Sequence, residues 1–375
     1  MAASSPPSSA AKPKLSLPPV GFGCWQLGSK GKDDYWGLEF TDKLAKALIK
    51  RAASKGIVYF DTAEAYSQGD SEKQLATALK CLEPDLRARV VVGSKILPNH
   101  CSNCRNALMG TLKRLDAKSI DLYMVHWPIT KVGMAHFATE GESKRIDYSK
   151  SDSDKIKEVP PTTKAFQDLM QLQKEGLIKH IGVSNFGVIQ LKEALATGVK
   201  IAVNQVAYNL LFRAVEYEVL PFCKKHNIQV LCYSPLMQGL LTGRYKSTKD
   251  VPPYRARTRH YDSRKNKLSR HGENGSEELL FKTVEKISAI AAKHGHTMVE
   301  LALSWPLKQP GVSCVIAGAT KESQVDSNAA ASVVKISEDV IKELTESTED
   351  LKEALGSNID MYQGFVNGVQ TSRCC

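Results

Sequence analysis

The sequence predicts an α/β fold, a (β/α)8 TIM barrel with long loops at the C-terminal face, on three observations. Eight short apolar runs recur along the chain, each followed by a stretch with helical spacing. The runs are near-continuous rather than alternating in hydrophobicity, as in parallel strands covered on both faces. Several end on a polar residue, where barrel enzymes carry their chemistry. The 375 residues accommodate one such barrel with its long loops, since a barrel takes about 250 residues as a single domain.

The runs are residues 20–24, 56–61, 90–95, 120–126, 179–183, 201–204, 228–232 and 313–316. Between them, apolar residues follow a helical period: Leu44, Ala45, Leu48, Ile49 and Ala52; Leu191, Ala194 and Leu195; Val284, Ile287, Ile290 and Ala291. An open doubly wound sheet is the competing architecture, and it would carry G-x-G-x-x-G after its first strand. Gly21-Phe22-Gly23-Cys24-Trp25-Gln26 supplies the first two glycines and not the third. Residues 337–356 read as a last helix. The chain divides into a disordered tail over residues 1–15, the barrel over 16–356 and a C-terminal tail over 357–375. Two long polar stretches, 129–163 and 242–275, follow strand C-terminal ends and are expected to border substrate and cofactor.

Bulk properties narrow the class. A 24% charged content and the absence of a long apolar run speak for a globular protein that does not span a membrane, because a spanning helix needs roughly 20 apolar residues. The net charge of +11 favours anionic partners without choosing among a phosphate-bearing cofactor, nucleic acid and acidic lipid. The nine cysteines are scattered, and Cys101–Cys104 has no second pair to make a zinc site. They read as reduced structural thiols in a reducing compartment. A cytoplasmic location is expected, with a plastid or mitochondrial leader as the alternative for the acid-poor N-terminus. His294-Gly295-His296 sits at a helix end without an evident carboxylate, and no metal is expected.

The chemistry concentrates at strand ends. Asp61 ends the second run, with Tyr66 five residues later; Lys95 ends the third and His126 the fourth. A closed barrel brings these ends around one opening. Singly, Asp61 reads as a turn former, Tyr66 as a surface aromatic, Lys95 as a solvated lysine and His126 as a core histidine. Together they read as a catalytic group. Lysine and aspartate are rarely buried unless paired, so a buried Asp61–Lys95 ion pair beside Tyr66 is expected. The ammonium is expected to lower the tyrosine pKa from roughly 10. Tyr66 then supplies a proton, His126 orients the carbonyl, and a nicotinamide supplies hydride. Trp25 and Trp127 follow strand ends and are expected to wall the substrate pocket. The basic run 254–271, with Arg255, Arg257, Arg259, Arg264, Lys265, Lys267 and Arg270, reads as a solvated flap in preference to a nucleic-acid patch.

Asp61-Thr62-Ala63-Glu64-Ala65-Tyr66, Ser94-Lys95 and Asp121-Leu122-Tyr123-Met124-Val125-His126-Trp127-Pro128 resemble the aldo-keto reductase family. So do Ile181-Gly182-Val183-Ser184-Asn185-Phe186, Val203-Asn204-Gln205 and Tyr233-Ser234-Pro235-Leu236, and the resemblance covers residues 16 to about 335. It implies Asp61, Tyr66, Lys95 and His126 as the catalytic four. It implies that Ser184, Asn185 and Gln205 hold the nicotinamide carboxamide and that Tyr233 stacks on the ring. Gly23, Cys24 and Trp25 would also touch the cofactor. Ser234, Leu236, Gln238, Gly239 and Leu240 would meet the pyrophosphate. Gly318, Thr320, Lys321, Gln324 and Asn328 match the adenosine-phosphate site, where a helix beginning near Thr320 would aim backbone N–H groups and Lys321 would favour NADPH. The chain departs from the family pattern at Val58, Ala76 and Ser327 and lacks an arginine near Gln324, which bears on how firmly a 2′-phosphate is read. The function implied is NADPH-dependent reduction of a small-molecule aldehyde or ketone, with neither nucleic acid nor membrane as partner. A cofactor-binding regulatory subunit with little turnover is the alternative, and a metal-dependent barrel hydrolase a distant third. Substrate and oligomeric state stay open.

Overall fold

The computed structural model describes residues 15–31, 38–135, 137, 156–363, 365–366 and 369–370. The expected N-terminal tail lies outside the described residues up to Leu15, as do residues 136 and 138–155 of the first long loop and 371–375 at the C-terminus.

Eight parallel strands close into a barrel: β1 (Val20–Gly23), β2 (Tyr59–Asp61), β3 (Val91–Ile96), β4 (Ile120–Val125), β5 (Ile178–Ser184), β6 (Ile201–Ala207), β7 (Gln229–Tyr233) and β8 (Val312–Ala317). Each pairs with its sequence neighbours, and β1 closes the ring against both β2 and β8. Helices α1 (Asp42–Ser54), α2 (Asp70–Leu79), α3 (Cys104–Leu115), α4 (Thr162–Lys174), α5 (Val188–Ala196), α6 (Val219–Lys225), α7 (Glu277–Lys293), α8 (Met298–Leu307) and α9 (Glu322–Ala331) lie between or after the strands. Every predicted run coincides with a barrel strand. Among the described residues no helix is long and apolar enough to cross a membrane.

Two apolar cores result. The larger fills the space between sheet and helices, where α1 buries Ala45, Leu48, Ile49, Ala52 and Ala53. The smaller fills the barrel interior with Tyr59, Leu122, Met124, Val203, Leu231, Cys314 and Ile316, closed by Leu15, whose carbonyl accepts from Gln229 Nε2 (3.0 Å). Cys101 and Cys104 are buried free thiols whose hydrogens go to backbone carbonyls, in keeping with a packing role.

Three expectations are corrected. The last helix is two, α10 (Glu338–Ser347) and α11 (Glu349–Leu355). Arg213 Nη1 donates to the Thr345 carbonyl (2.8 Å) and to Thr348 Oγ1 (2.9 Å), taking the carbonyl that a continuous helix would use. The basic run is not a solvated flap. Thr258, Arg259, His260, Tyr261 and His271 within it are buried. Arg259 is spread over Glu273 (2.6 Å), the Leu355 carbonyl (2.7 Å) and the Asn358 carbonyl (2.9 Å), and so pins residues 355–361. The histidine pair does have carboxylates, for His294 Nε2 lies 2.8 Å from Glu343 and His296 Nδ1 4.0 Å from Glu300. These partners sit on different helices, and each histidine reads as an end clamp for α7 or α8.

Candidate active site

On β2, Tyr59, Phe60 and Asp61 are all buried, and the strand ends at Asp61. Thr62 and Ser71 share a hydroxyl contact (2.9 Å), and Ser71 Oγ donates to the Cys24 carbonyl (2.7 Å), stitching the end of β1 to the start of α2. Directly after Tyr66, Ser67 (φ 48°) and Gln68 (φ 56°) are both left-handed. Non-glycine residues rarely adopt that region without a reason in the surrounding structure. Here Ser67 Oγ donates to the Leu27 carbonyl (3.1 Å), and Gly28 (φ 81°) lets the two turns meet, since a Cβ on it would lie 2.9 Å from the Ser67 Cβ.

The expected ion pair is present and buried. Lys95 Nζ donates to Asp61 Oδ2 (2.6 Å), the Thr62 carbonyl (2.8 Å) and the Tyr66 hydroxyl oxygen (3.1 Å). An ammonium has three hydrogens, so all are committed. Asp61 Oδ1 accepts from Gln205 Nε2 (2.7 Å) and from the Tyr59 hydroxyl (3.1 Å). His126 stands edge-on to Tyr66, ring centroids 5.7 Å apart, and Trp25 flanks the same ring at 6.2 Å. Trp25 is about a third exposed at the mouth, whereas Trp127 is buried in the larger core.

The electrostatics differ from expectation on one point. Burial pushes the Tyr66 hydroxyl above its ordinary value; the Lys95 ammonium opposes this, and Asp61 adds to it. The predicted lowering is therefore corrected, because desolvation of the phenolate outweighs a single cation whose charge Asp61 largely neutralises. Burial disfavours the Lys95 ammonium, yet Asp61 and Tyr66 hold its pKa above the ordinary lysine value.

Most of the remaining predicted residues lie at the C-terminal ends of β5 to β8 or in the loops that follow them. Asn185 Nδ2 donates to the His126 carbonyl (3.1 Å), and the Tyr233 hydroxyl donates to Asn185 Oδ1 (2.8 Å). Ser184 Oγ donates to the Gln205 carbonyl (2.9 Å). The loop after β7 is left-handed at Ser234, Met237, Gln238 and Gly239, and Leu240 packs inward. Gly318 is followed by α9, whose N-cap is Lys321. The Thr320 N–H donates to Gln324 Oε1 (2.7 Å), the glutamine folding back over its own helix end. Gly23 ends β1, and Cys24 directly after it is buried, with its N–H donating to the Asp61 carbonyl (2.8 Å).

Three residues escaped the sequence reading. Tyr59 touches Asp61, and their i, i+2 spacing on one strand was a usable signal. Gln26, buried, donates to the Ala319 carbonyl (3.2 Å) and joins the first loop to the last. Glu72, buried on α2, accepts from Ser94 Oγ (2.5 Å) and pairs with Arg114 (2.5 Å), bracing the strand that carries Lys95. Burial pushes the Glu72 carboxyl up against the pull of Arg114.

The profile of the Aldo/keto reductase family matches residues 19–349. The chain belongs to the aldo/keto reductase family. As a member it is an oxidoreductase that exchanges hydride between a nicotinamide cofactor and a carbonyl. Among curated proteins this aldo/keto reductase is 29% identical over 358 residues to the NADH-specific methylglyoxal reductase of Escherichia coli, covering 89% of this chain and 97% of that one. Among solved structures it is similar to an aldo/keto reductase from Klebsiella pneumoniae in complex with NADP and acetate, at 25% identity and a TM-score of 0.62, over 88% of this chain and 92% of that one. Its fold is also that of a glycerol dehydrogenase from Gluconobacter oxydans, at 24% identity and a TM-score of 0.66, over 91% and 93% of the two chains.

Proposed function

We propose that this aldo/keto reductase reduces a small aldehyde or ketone with NADPH, and that Tyr66 donates the proton. The observation that carries the reading is the direction of the Lys95–Tyr66 hydrogen bond. Because the ammonium donates to the phenol oxygen (3.1 Å), the phenol hydrogen is turned towards the barrel mouth, where Trp25 and His126 flank the ring. As negative charge develops on a carbonyl oxygen, Tyr66 transfers its proton, and Lys95 stabilises the phenolate left behind. Asp61 keeps Lys95 charged and aimed. His126 orients the substrate oxygen.

The rim residues fit a nicotinamide dinucleotide, which supplies the hydride when bound. Asn185 is held between His126 and Tyr233 with its amide fixed for a carboxamide. The left-handed turn at Gln238 and Gly239 is of the kind that forms anion-binding concavities and suits a pyrophosphate. Lys321 is exposed at the start of α9 and Asn328 is buried about two turns further on, a pairing suited to an adenosine 2′-phosphate. The similarity to methylglyoxal reductase makes a 2-oxoaldehyde the first substrate class to try.

The test is NADPH consumption over a panel of carbonyls with wild type and Tyr66→Phe. Turnover abolished in the variant, with NADPH affinity within about threefold, is expected, since only the proton donor is lost. Unchanged turnover would overturn the donor assignment. Tight NADPH binding by wild type without turnover on any carbonyl would favour a regulatory role.

A further inference from the structure

We propose that Tyr59 is a positioning residue for the Asp61 carboxylate, seated for that purpose in a slot formed by Gly21 and Gly93; this rests on the reading of Tyr66 as proton donor. Tyr59 and Asp61 are two residues apart on β2, so both side chains point into the barrel. Around Tyr59 the interior is apolar, lined by Leu122, Met124, Val203, Leu231 and Ile316. A buried phenol in such surroundings must find a partner, and the partner is Asp61 Oδ1 (3.1 Å).

The slot is shaped to let an aromatic ring pass. A Cβ on Gly21 would lie 2.6 Å from Tyr59 Cδ1, and a Cβ on Gly93 would lie 2.5 Å from the Tyr59 oxygen. Gly21 stands on β1 and Gly93 on β3, the two strands that flank β2. Both neighbours therefore give up their side chains where the ring passes. Phenylalanine would fill the apolar part equally well, so the distinguishing group is the hydroxyl.

That hydroxyl acts on the carboxylate together with Gln205. Two donors, from β2 itself and from β6, converge on Oδ1, while Lys95 takes Oδ2 (2.6 Å). With Oδ1 saturated, the carboxylate plane is fixed and Oδ2 stays aimed at Lys95, whose third hydrogen meets Tyr66. Burial and the Asp61 charge both push the Tyr59 hydroxyl far above its ordinary value, so it remains a donor at every working pH.

The experiment compares Tyr59→Phe, Gly93→Ala, their combination and Tyr66→Phe in the full-length protein with NADPH and a carbonyl that wild type reduces. Tyr59→Phe is expected to lower kcat about tenfold, the size of one hydrogen bond to a charged group. KM and the NADPH Kd should stay within about twofold, as for an interaction felt only in the transition state. Gly93→Ala should lower kcat similarly by displacing the hydroxyl. In the Tyr59→Phe background it should cost less, because the nearest atom it strikes is gone and only the ring carbons Cε2 (3.0 Å) and Cζ (3.1 Å) still crowd it. Full kcat in Tyr59→Phe, or a lowered Tm with kcat per folded molecule unchanged, would overturn the proposal. Turnover surviving in Tyr66→Phe would overturn the donor reading instead, so the two failures are separable.

Discussion

Lys95 reaches the Tyr66 oxygen as a donor at 3.1 Å while its other two hydrogens are taken by Asp61 and the Thr62 carbonyl. The lysine cannot therefore also bond the substrate. Its role is confined to the phenol and to whatever charge the phenol acquires. That leaves Tyr66, the proposed proton donor, as the group to address a carbonyl.

The first expectation concerns pH. As the proposed donor, Tyr66 must be protonated to reduce a carbonyl, and burial holds its pKa above the ordinary value. The active form is thus present below that pKa and lost as pH rises through it. The kcat for reduction should stay flat through neutrality and fall only beyond about pH 10, the ordinary tyrosine value. Alcohol oxidation needs the phenolate and should rise over the same range. A pH–rate profile in both directions checks this, and a basic limb for reduction centred near pH 8 would contradict it.

The second concerns the ion pair, buried at both ends. Asp61→Asn leaves the ammonium without a counter-charge, which costs about 3–5 kcal/mol for a buried pair. Lys95→Met leaves the carboxylate with Gln205 and Tyr59 alone and should cost a similar amount. Replacing both removes both orphaned charges, so the double variant should be more stable than the sum of the singles. Thermal melts of the four proteins measure the coupling, and strict additivity would contradict a direct pair.

The eight strands and the meeting of Asp61, Tyr66, Lys95 and His126 were legible because both depend on local pattern: apolar runs fix the strands, and strand ends in a closed barrel share one opening. The sign of the Tyr66 shift was not legible. It depends on how much water the mouth excludes, which no spacing reveals. Arg259 was misjudged for a related reason. Seven cations in one loop look solvated in sequence, and only the fold brings the Leu355 and Asn358 carbonyls, about a hundred residues away, onto one guanidinium. Tyr59 was hidden in an apolar run where a tyrosine passes for packing.

Cofactor choice supplies the third expectation. Lys321 is exposed at the N-cap of α9, and a 2′-phosphate carries nearly two negative charges at neutral pH. Lys321→Glu should weaken NADPH about tenfold at low salt and NADH by under about twofold, the gap narrowing as salt screens an exposed charge. Titration of each reduced cofactor by fluorescence measures this. Equal weakening of the two would mean that the 2′-phosphate is read elsewhere.

The last expectation concerns the C-terminal segment. Arg259 binds the Leu355 and Asn358 carbonyls through its side chain and the Met361 carbonyl through its backbone N–H (2.9 Å). One residue further along, the Tyr362 hydroxyl accepts from Gln238 Nε2 (2.6 Å), and Arg255 Nη1 donates to the Gln238 carbonyl (2.7 Å). The proposed pyrophosphate loop is thus braced by the C-terminal segment, which Arg259 secures. Arg259→Ala orphans two carbonyls and the Glu273 contact and should cost about 3 kcal/mol. Lysine should not rescue it, because one ammonium cannot reproduce a planar fork that spans three acceptors. Protease cleavage beyond residue 355 should accelerate, and NADPH affinity should fall while kcat at saturating cofactor is retained. Unchanged cleavage and Tm in Arg259→Ala would show that the segment is held by its apolar contacts at Ile359 and Met361 instead.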